Sequence, residues 1–210
     1  MINKKEWFLK QHNQIYCFTD SVSLCKKLLS AGARIIQFRN KTLDNHVFYR
    51  IGKEIQSLIK SYQDIIFIIN DRVDIAMQLK VDGIHIGQGD AHYPTVIKQA
   101  PAHMIIGVSV DNEEEAVTAE KAGASYVGAG SVFPTQTKED VPVIGISGLK
   151  KIVDAVNIPV VAIGGISAGN ITEVKKTGAQ YYGIVSQINN APDTQGAFKN
   201  LFRRMNRGNK

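Results

Sequence analysis

The stretch EKAGASYVGAG, residues 120–130, passes from a charged helix end through a glycine into a short apolar run. A glycine just past a helix, followed at once by a strand, is typical of the helix-to-strand connection in parallel α/β folds. Three further stretches share this pattern: SAGARIIQFR (30–39), LKVDGIHIG (79–87) and KKTGAQYYGIV (175–185). Four such junctions indicate repeated βα units, in which helices cover a parallel sheet.

Eight strands are predicted when the chain is read outward from these junctions. They lie near residues 14–19, 34–39, 65–69, 83–86, 104–108, 125–129, 158–163 and 181–185. Amphipathic stretches of helical length lie between them, among them 22–30, 47–62, 113–121 and 171–176. Eight parallel strands favour an α/β fold, a single (β/α)8 TIM barrel with an outer ring of helices. We expect residues 1–210 to form one domain with the barrel at about 14–198; an open doubly wound sheet is the alternative.

The net charge of +6 is concentrated at one end of the chain. Residues 199–210 hold five of the 25 Lys and Arg residues and no acidic residue, which leaves 20 basic against 19 acidic residues elsewhere. No aromatic-interleaved basic patch accompanies this excess. We therefore expect a solvated basic C-terminal tail at 199–210 and no nucleic-acid partner.

Neither a membrane span nor a signal peptide is predicted. No apolar run approaches the ~20 residues that cross a bilayer, and residues 1–14 lack the apolar core of a signal peptide. The expected location is cytoplasmic, with no membrane partner. Cys17 and Cys25 are too few for a disulfide framework or a four-ligand metal site, so both are expected to be buried thiols.

Polar residues and glycines gather where the predicted strands end, which is the face that carries the active site in TIM barrels. In chain order these positions are Gln37, Arg39, Lys41, Asn70, Asp71, Gln88, Asp90, Ser109, the loop 131–145, Gly164, Gly165 and Ser186. Because parallel strands all end on the same side, we expect these residues to converge on one mouth.

Asp71 and Asp90 are the predicted ligands of a magnesium ion. Magnesium is commonly held by one or two carboxylates, while phosphates and waters complete its octahedron. The alternative is that each aspartate caps the helix that follows it. The cations Arg39, Lys41 and Lys138 favour the metal site, because a pyrophosphate needs cations and a metal together.

Two segments indicate phosphate binding. Gly164-Gly165 precedes a helix that begins near 168–170, and glycines there let backbone N–H groups approach a phosphate. A glycine turn without a ligand is the alternative. The loop PTQTK (134–138) adds hydroxyls and an ammonium that suit anionic oxygens.

A hydrolase is disfavoured, although GISAG (165–169) matches the G-x-S-x-G nucleophile motif. In hydrolases with that motif a histidine follows the serine along the chain, whereas the last histidine here is His103. His85 lies in an apolar alternation and is expected to be structural.

Seven longer motifs follow one another along the chain: QFRNK (37–41), INDRVDIA (69–76), DGIHIGQGD (82–90), IIGVSV (105–110), FPTQTK (133–138), VAIGGI (161–166) and VSQI (185–188). This ordered series resembles that of the thiamine-phosphate synthase family. The resemblance covers roughly residues 14–190. It implies a transferase that condenses hydroxymethylpyrimidine pyrophosphate with a thiazole phosphate, giving thiamine phosphate and pyrophosphate by a dissociative, magnesium-assisted mechanism.

The resemblance also implies a role for each candidate residue. Pyrimidine contacts would come from Gln37 and Ser109. Pyrophosphate contacts would come from Arg39, Lys41, Asn70 and Lys138, and magnesium would bind Asp71 and Asp90. The thiazole would meet Thr135 and Thr137, and its phosphate would lie on the backbone near Gly165, Val185 and Ser186. The catalytic group would be Arg39, Lys41, Ser109 and Lys138.

Three other functions stay open at this point. A thiazole tautomerase of the sister family would not need the two aspartates or PTQTK. A phosphate-sugar isomerase or epimerase would need a carboxylate or histidine base at the mouth. A non-catalytic barrel that binds a phosphorylated ligand is the third. The expected partners are small phosphorylated substrates, and the sequence leaves a homo-oligomer open.

Overall fold

The protein is represented by a computed structural model that describes residues 3–135 and 142–206. In these residues eight parallel strands form a closed barrel, as the sequence predicts. The strands are β1 (Gln14–Thr19), β2 (Ile35–Phe38), β3 (Ile66–Asn70), β4 (Gly83–Ile86), β5 (Ile105–Val110), β6 (Tyr126–Ala129), β7 (Val160–Ile163) and β8 (Tyr181–Ile184). Each strand pairs with the next, and β8 closes the barrel against β1.

Helices alternate with the strands and surround them. They are α1 (Lys4–Lys10), α2 (Val22–Ala31), α3 (Asn45–Ile59), α4 (Val73–Leu79), α5 (Tyr93–Gln99), α6 (Glu113–Ala122), α7 (Gly145–Ala155), α8 (Ile171–Lys176), α9 (Ser186–Asn189) and α10 (Thr194–Asn206). Helix α3 begins two residues before the predicted start, because the Asp44 carboxylate accepts the Val47 N–H and caps the first turn. Among the described residues, no helix combines the length and apolarity that a membrane crossing needs.

Side chains alternate along each strand between the interior of the barrel and its outer surface. Outward residues such as Ile36 and Phe38 pack beneath the helices in the larger hydrophobic core. Inward residues such as Ile35, Ile66 and Ile105 form a smaller cluster, which fills the end where the strands begin. Several inward positions nearer the strand ends are polar, among them Gln37, Asn70 and Ser109, and a cavity opens at that end.

Helix α1 closes the packed end. Phe8 is fully buried; its ring stacks on Tyr181 with centroids 4.7 Å apart and lies 5.1 Å from the ring of Tyr126. The Tyr181 hydroxyl donates a hydrogen bond to the Phe8 carbonyl oxygen. The predicted barrel limits of 14–198 omit this helix, although its aromatic side chain completes the interior.

The expectation of a solvated basic tail is wrong for residues 199–206. These residues complete α10, which packs against α2 and α8 and buries Leu201 and Met205. The Lys175 ammonium also donates to the Met205 carbonyl oxygen. The charges of this segment lie on the outer side of an amphipathic helix, so a count of charges alone does not reveal its buried side.

The two thiols are buried, as predicted. Cys17 and Cys25 have no exposed surface. Burial raises the pKa of both thiols, that of Cys25 to about 12. Because the thiolate is the reactive form, neither cysteine is a nucleophile at neutral pH.

We expect Phe8→Ala to lower the free energy of unfolding by about 3–5 kcal/mol, because it removes a fully buried ring and leaves a cavity at the closed end. Urea denaturation followed by circular dichroism measures this loss. Leu9→Ala is the matched control, since Leu9 is on the same helix but 41% exposed; it should change stability by less than ~0.5 kcal/mol. Equal losses in the two variants would show that α1 does not seal the barrel.

Candidate active site

A cavity of about 300 Å³ opens where the strands end. Its lining includes eleven of the thirteen residues to which the family resemblance gives a role: Gln37, Arg39, Lys41, Asn70, Asp71, Asp90, Ser109, Thr135, Gly165, Val185 and Ser186. Thr137 and Lys138 lie outside the described residues. The structure brings the described candidates to one mouth, and the role of each stays a prediction.

Lys41 joins the two candidate metal ligands. Its ammonium nitrogen lies 2.5 Å from Asp71 Oδ2 and 3.8 Å from Asp90 Oδ1. The Asp71 side chain is 18% exposed and that of Asp90 29%, so both carboxylates are partly withdrawn from water. Two acidic groups from neighbouring strand ends therefore reach one point, as a shared cation requires.

The loops after β3 and β4 hold these carboxylates in place. Asp71 has a left-handed φ of 60°, which aspartate and asparagine tolerate better than most residues. Its N–H donates to the His85 carbonyl oxygen on β4, at 2.8 Å. Asp90 Oδ2 accepts the Gly87 N–H at 3.0 Å, and a Cβ at Gly87 would lie only 2.5 Å from that oxygen. A side chain at residue 87 would therefore displace the Asp90 carboxylate from its present position.

The helix-cap interpretation of the two aspartates is wrong. The N-cap residue of α4 is Arg72 and that of α5 is His92, and neither helix has a side-chain cap hydrogen bond. Asp71 and Asp90 instead lie in the mouth beside Lys41. The structure therefore removes the simplest structural explanation for two acids at this place.

The surroundings of Asp71 oppose its negative charge. Burial contributes most and the neighbouring Asp90 carboxylate adds to it; together they raise the pKa of Asp71 above its usual value, and Lys41 offsets only part of the rise. Titratable groups perturbed in this way are concentrated at functional sites. A further positive charge in this place would relieve the repulsion between the two acids.

The glycine-rich turn after β7 forms the opposite wall of the mouth. Gly164 and Gly165 have φ values of 102° and 62°. A Cβ on Gly164 would lie 2.1 Å from Ser131 Oγ, and one on Gly165 would lie 2.8 Å from the Pro134 carbonyl oxygen. The Asn170 side chain holds the turn by donating to the Gly165 carbonyl oxygen, at 3.0 Å. Close packing against the loop after β6 already requires both glycines, so they do not by themselves demonstrate a phosphate site.

A chain of hydrogen bonds crosses the interior below the mouth. It runs from Gln37 Nε2 to the Tyr16 hydroxyl (2.9 Å), to the Tyr126 hydroxyl (2.7 Å), to His85 Nδ1 (2.9 Å), and from His85 Nε2 to Ser109 Oγ (3.0 Å). Sequence reasoning missed Tyr16 and Tyr126 and treated His85 as structural, yet all three line the cavity. The signal available in the sequence was strand alternation. Tyr16, His85 and Tyr126 each lie two residues before another residue that lines the cavity.

Two glycines at inward positions make room for this chain. A Cβ on Gly107 would lie 2.0 Å from Tyr126 Cζ, and one on Gly128 would lie 2.9 Å from His85 Cε1. The tyrosine and histidine rings occupy the volume that side chains at residues 107 and 128 would otherwise fill. The interior therefore holds large polar rings only because β5 and β6 each contribute a glycine.

Comparison with known proteins adds to this geometry. The family model described as thiamine monophosphate synthase matches residues 11–188. The chain belongs to the thiamine monophosphate synthase family. The thiamine-phosphate synthase of Pyrococcus furiosus is 43% identical to this member over 198 residues, which cover 92% of this chain and 95% of the relative. That of Clostridium novyi is 40% identical, with 92% of each chain covered.

A solved structure supports the same relationship. Thiamine phosphate pyrophosphorylase from Pyrococcus furiosus superposes on this member of the family with a TM-score of 0.86 at 40% identity, covering 97% of this chain and 96% of that one. Family membership confirms the predicted barrel and the predicted enzyme class, a transferase of thiamine biosynthesis.

We expect Asp71→Asn to raise the melting temperature at pH 7 in metal-free buffer. Because the pKa of Asp71 is raised in the folded state, the folded protein holds this proton more tightly than the unfolded chain does. Its ionisation therefore costs stability as the pH rises from near 3.8 through the raised pKa, and the asparagine variant avoids that cost. The gain in melting temperature should vanish at a pH below the usual pKa of aspartate, where Asp71 is protonated in the folded and unfolded protein alike.

Thermal denaturation between pH 3.5 and 8 measures this difference. Asp74→Asn is the control, because Asp74 is an exposed carboxylate in the first turn of α4. A lower melting temperature for Asp71→Asn at pH 7, with the control unchanged, would mean that Lys41 outweighs burial and the Asp90 charge.

Proposed function

We propose that this protein joins hydroxymethylpyrimidine pyrophosphate to a thiazole phosphate and releases thiamine phosphate and pyrophosphate. The observation that carries the proposal is the contact of Lys41 with both Asp71 and Asp90 at the mouth. Two carboxylates with no cation beside them would repel a pyrophosphate. Acids that share a cation, with Arg39 and Asn70 lining the same cavity, form a mixed site suited to a metal and a polyanion together.

The reaction needs charge stabilisation more than an activated nucleophile. The carbon–oxygen bond of the pyrimidine methylene breaks, and its electron pair leaves with pyrophosphate. The ring-stabilised methylene cation then accepts the electron pair of the thiazole nitrogen, which forms the new carbon–nitrogen bond. Preorganised cations that meet growing negative charge, together with alignment of the two substrates, account for rate in such a mechanism.

The residues at the β2 and β3 strand ends serve the leaving group in this proposal. Arg39 and Lys41 supply positive charge to the departing pyrophosphate, and the Asn70 side chain can donate a hydrogen bond to it. Lys138, from the loop after β6, is assigned to the same task by the family resemblance. These are proposed roles, supported by the shared cavity for the three described residues.

The donor set fits magnesium at Asp71 and Asp90. The described residues contain no cluster of three or more His, Cys, Asp or Glu side chains able to hold a metal. Magnesium binds through one or two carboxylates and keeps its other positions for phosphate oxygens and water. When bound, it would neutralise part of the charge that collects on the leaving pyrophosphate.

The two substrates occupy different walls of the cavity in this proposal. The pyrimidine ring lies between Gln37 and Ser109, which face the interior from β2 and β5. The thiazole partner lies toward Thr135, with its phosphate near Gly165 and Ser186. Across the mouth, the thiazole nitrogen then approaches the methylene from the side away from pyrophosphate.

The paired acids also separate this function from its rivals. A thiazole tautomerase releases no pyrophosphate and has no use for two carboxylates that share a cation. A sugar-phosphate isomerase or epimerase needs a carboxylate or histidine base directed at the substrate. Asp71 and Asp90 instead contact Lys41, and His85 lies within a chain of hydrogen bonds. Incubation of the protein with both substrates and magnesium tests the proposal. Appearance of thiamine phosphate with one equivalent of pyrophosphate is expected, and its absence would overturn the proposal.

We expect Lys41→Ala to lower kcat by roughly 10²–10³, because it removes charge that acts mainly on the departing pyrophosphate. The KM for the thiazole phosphate should change little. Steady-state kinetics with each substrate varied in turn measure both effects. Lys53→Ala, an exposed lysine on α3, is the control and should match the wild type. If only the KM for the thiazole phosphate rose, Lys41 would act on that substrate, and its proposed role in pyrophosphate departure would be wrong.

Magnesium and pyrophosphate are expected to bind synergistically, each increasing the affinity of the other by the same factor. The pyrophosphate completes a coordination sphere that two carboxylates leave unfilled. Asp90→Asn should weaken this coupling, while affinity for the thiazole phosphate serves as the internal control and stays unchanged. Calorimetry with inorganic pyrophosphate, with and without magnesium, measures the coupling. No gain from magnesium in the wild type would exclude the proposed metal site.

A further inference from the structure

A direction for the hydrogen-bonded chain from Gln37 to Ser109 follows once Gln37 Nε2 is its first donor. Gln37 Nε2 donates to the Tyr16 hydroxyl oxygen at 2.9 Å, and the Tyr16 and Tyr126 hydroxyl oxygens lie 2.7 Å apart. Tyr16 and Tyr126 have at most 1% of their surface exposed, so water does not satisfy their hydroxyl protons. A buried hydroxyl proton requires an acceptor, and Tyr126 provides it for Tyr16.

The remaining links follow from this first assignment. Because the Tyr126 oxygen accepts from Tyr16, the Tyr126 proton goes to His85 Nδ1, at 2.9 Å. A neutral imidazole carries one proton, which must then lie on Nε2. This Nε2–H donates to Ser109 Oγ at 3.0 Å. The Ser109 proton is left to point into the cavity.

Gln37 is the other end of the chain. Its residue surface is 1% exposed, and the described residues offer no hydrogen-bond partner to its Oε1 atom. An unpaired buried acceptor destabilises the protein, and a ligand that donates to it would remove that penalty. Gln37 also lines the cavity, so a ligand that binds there lies beside this side chain.

We propose that Tyr16, Tyr126 and His85 are positioning residues that orient the pyrimidine site, making Gln37 a hydrogen-bond acceptor and Ser109 a hydrogen-bond donor. The inference rests on the proposed function for the identity of the ligand. It selects a ring that carries a donor, such as an exocyclic amino group, toward Gln37 and an acceptor toward Ser109. A ring with a carbonyl in place of the amino group would set two acceptors against each other at Gln37.

The surroundings of the chain keep its hydroxyls protonated and leave room for its rings. Burial raises the pKa of the Tyr16 and Tyr126 hydroxyls above their usual range, so both stay protonated and can donate a hydrogen bond. Gly107 and Gly128 leave room for the Tyr126 and His85 rings. The chain is thus formed by side chains of the barrel strands themselves.

The first test needs no ligand. Nitrogen-15 NMR of the imidazole rings in the free protein distinguishes the two neutral tautomers, and His85→Gln identifies the His85 signals by their loss. We expect the Nε2–H tautomer at neutral pH. Observation of the Nδ1–H tautomer would reverse every link and overturn the proposal, whatever reaction the protein catalyses.

The second test interrupts the chain at Tyr126. Tyr126→Phe leaves the Tyr16 proton without its acceptor and removes the donor to His85. The Kd of hydroxymethylpyrimidine pyrophosphate should rise roughly threefold to tenfold, as for one lost hydrogen bond. Binding of inorganic pyrophosphate with magnesium and the KM of the thiazole phosphate should not change. Tyr182→Phe is the matched control, because Tyr182 is a buried tyrosine of β8 in the outer core, whose hydroxyl bonds to Asn13 and Ala179.

A pair of variants at His85 separates direction from mere packing. The amide of His85→Gln can accept from Tyr126 and donate to Ser109, so pyrimidine affinity should stay within about threefold of the wild type. His85→Leu fills the space without either contact and should weaken pyrimidine binding as Tyr126→Phe does. Equal affinities in the glutamine and leucine variants, or in the phenylalanine variants of Tyr126 and Tyr182, would overturn the proposal. Absence of thiamine phosphate in the wild type would instead count only against the proposed function.

Discussion

The interior of the barrel is shared by every second residue of eight short strands, and this shared volume constrains the whole molecule. Pairing of β8 with β1 closes the sheet and removes both of its edges, so neighbouring strands enclose every inward side chain. Bulk must therefore be matched across strands. The ring of Tyr126 fits because residue 107 is glycine, and the ring of His85 fits because residue 128 is glycine. The interior is filled where the strands begin, and a cavity remains where they end.

Much of the fold could be predicted because its signals are local. Glycine between a helix and an apolar run marks a junction wherever it occurs, and the strands near 14–19 and 83–86 have these bounds in the structure. Helix α1 and the end of α10 carry no such junction. Their place depends on what Phe8 and Met205 contact, and these partners are far away in the sequence or on other helices.

The candidate site divides in the same way. Asp71 and Asp90 could be found because charged residues at strand ends stand out, and parallel strands bring their ends together. The chain through Tyr16 and Tyr126 could not be found, because tyrosine is common in buried strands and its hydroxyl partner comes from a strand 110 residues away. The contacts of His85 could not be predicted for a related reason. An apolar alternation shows that a residue faces inward and says nothing about which polar groups it meets there.

The closing of the barrel by Phe8 links the structure to the order of synthesis. Helix α1 precedes every strand, yet the hydroxyl that binds the Phe8 carbonyl belongs to Tyr181, 173 residues later. At ribosomal rates of roughly 5–20 residues per second, about 10–30 s separate the two. During that interval the ring of Phe8 lacks the Tyr181 ring on which it stacks, and exposed apolar groups of a nascent chain are prone to aggregation. A helix that is synthesised before every strand of the barrel thus gains its full set of contacts only after the last strand is made.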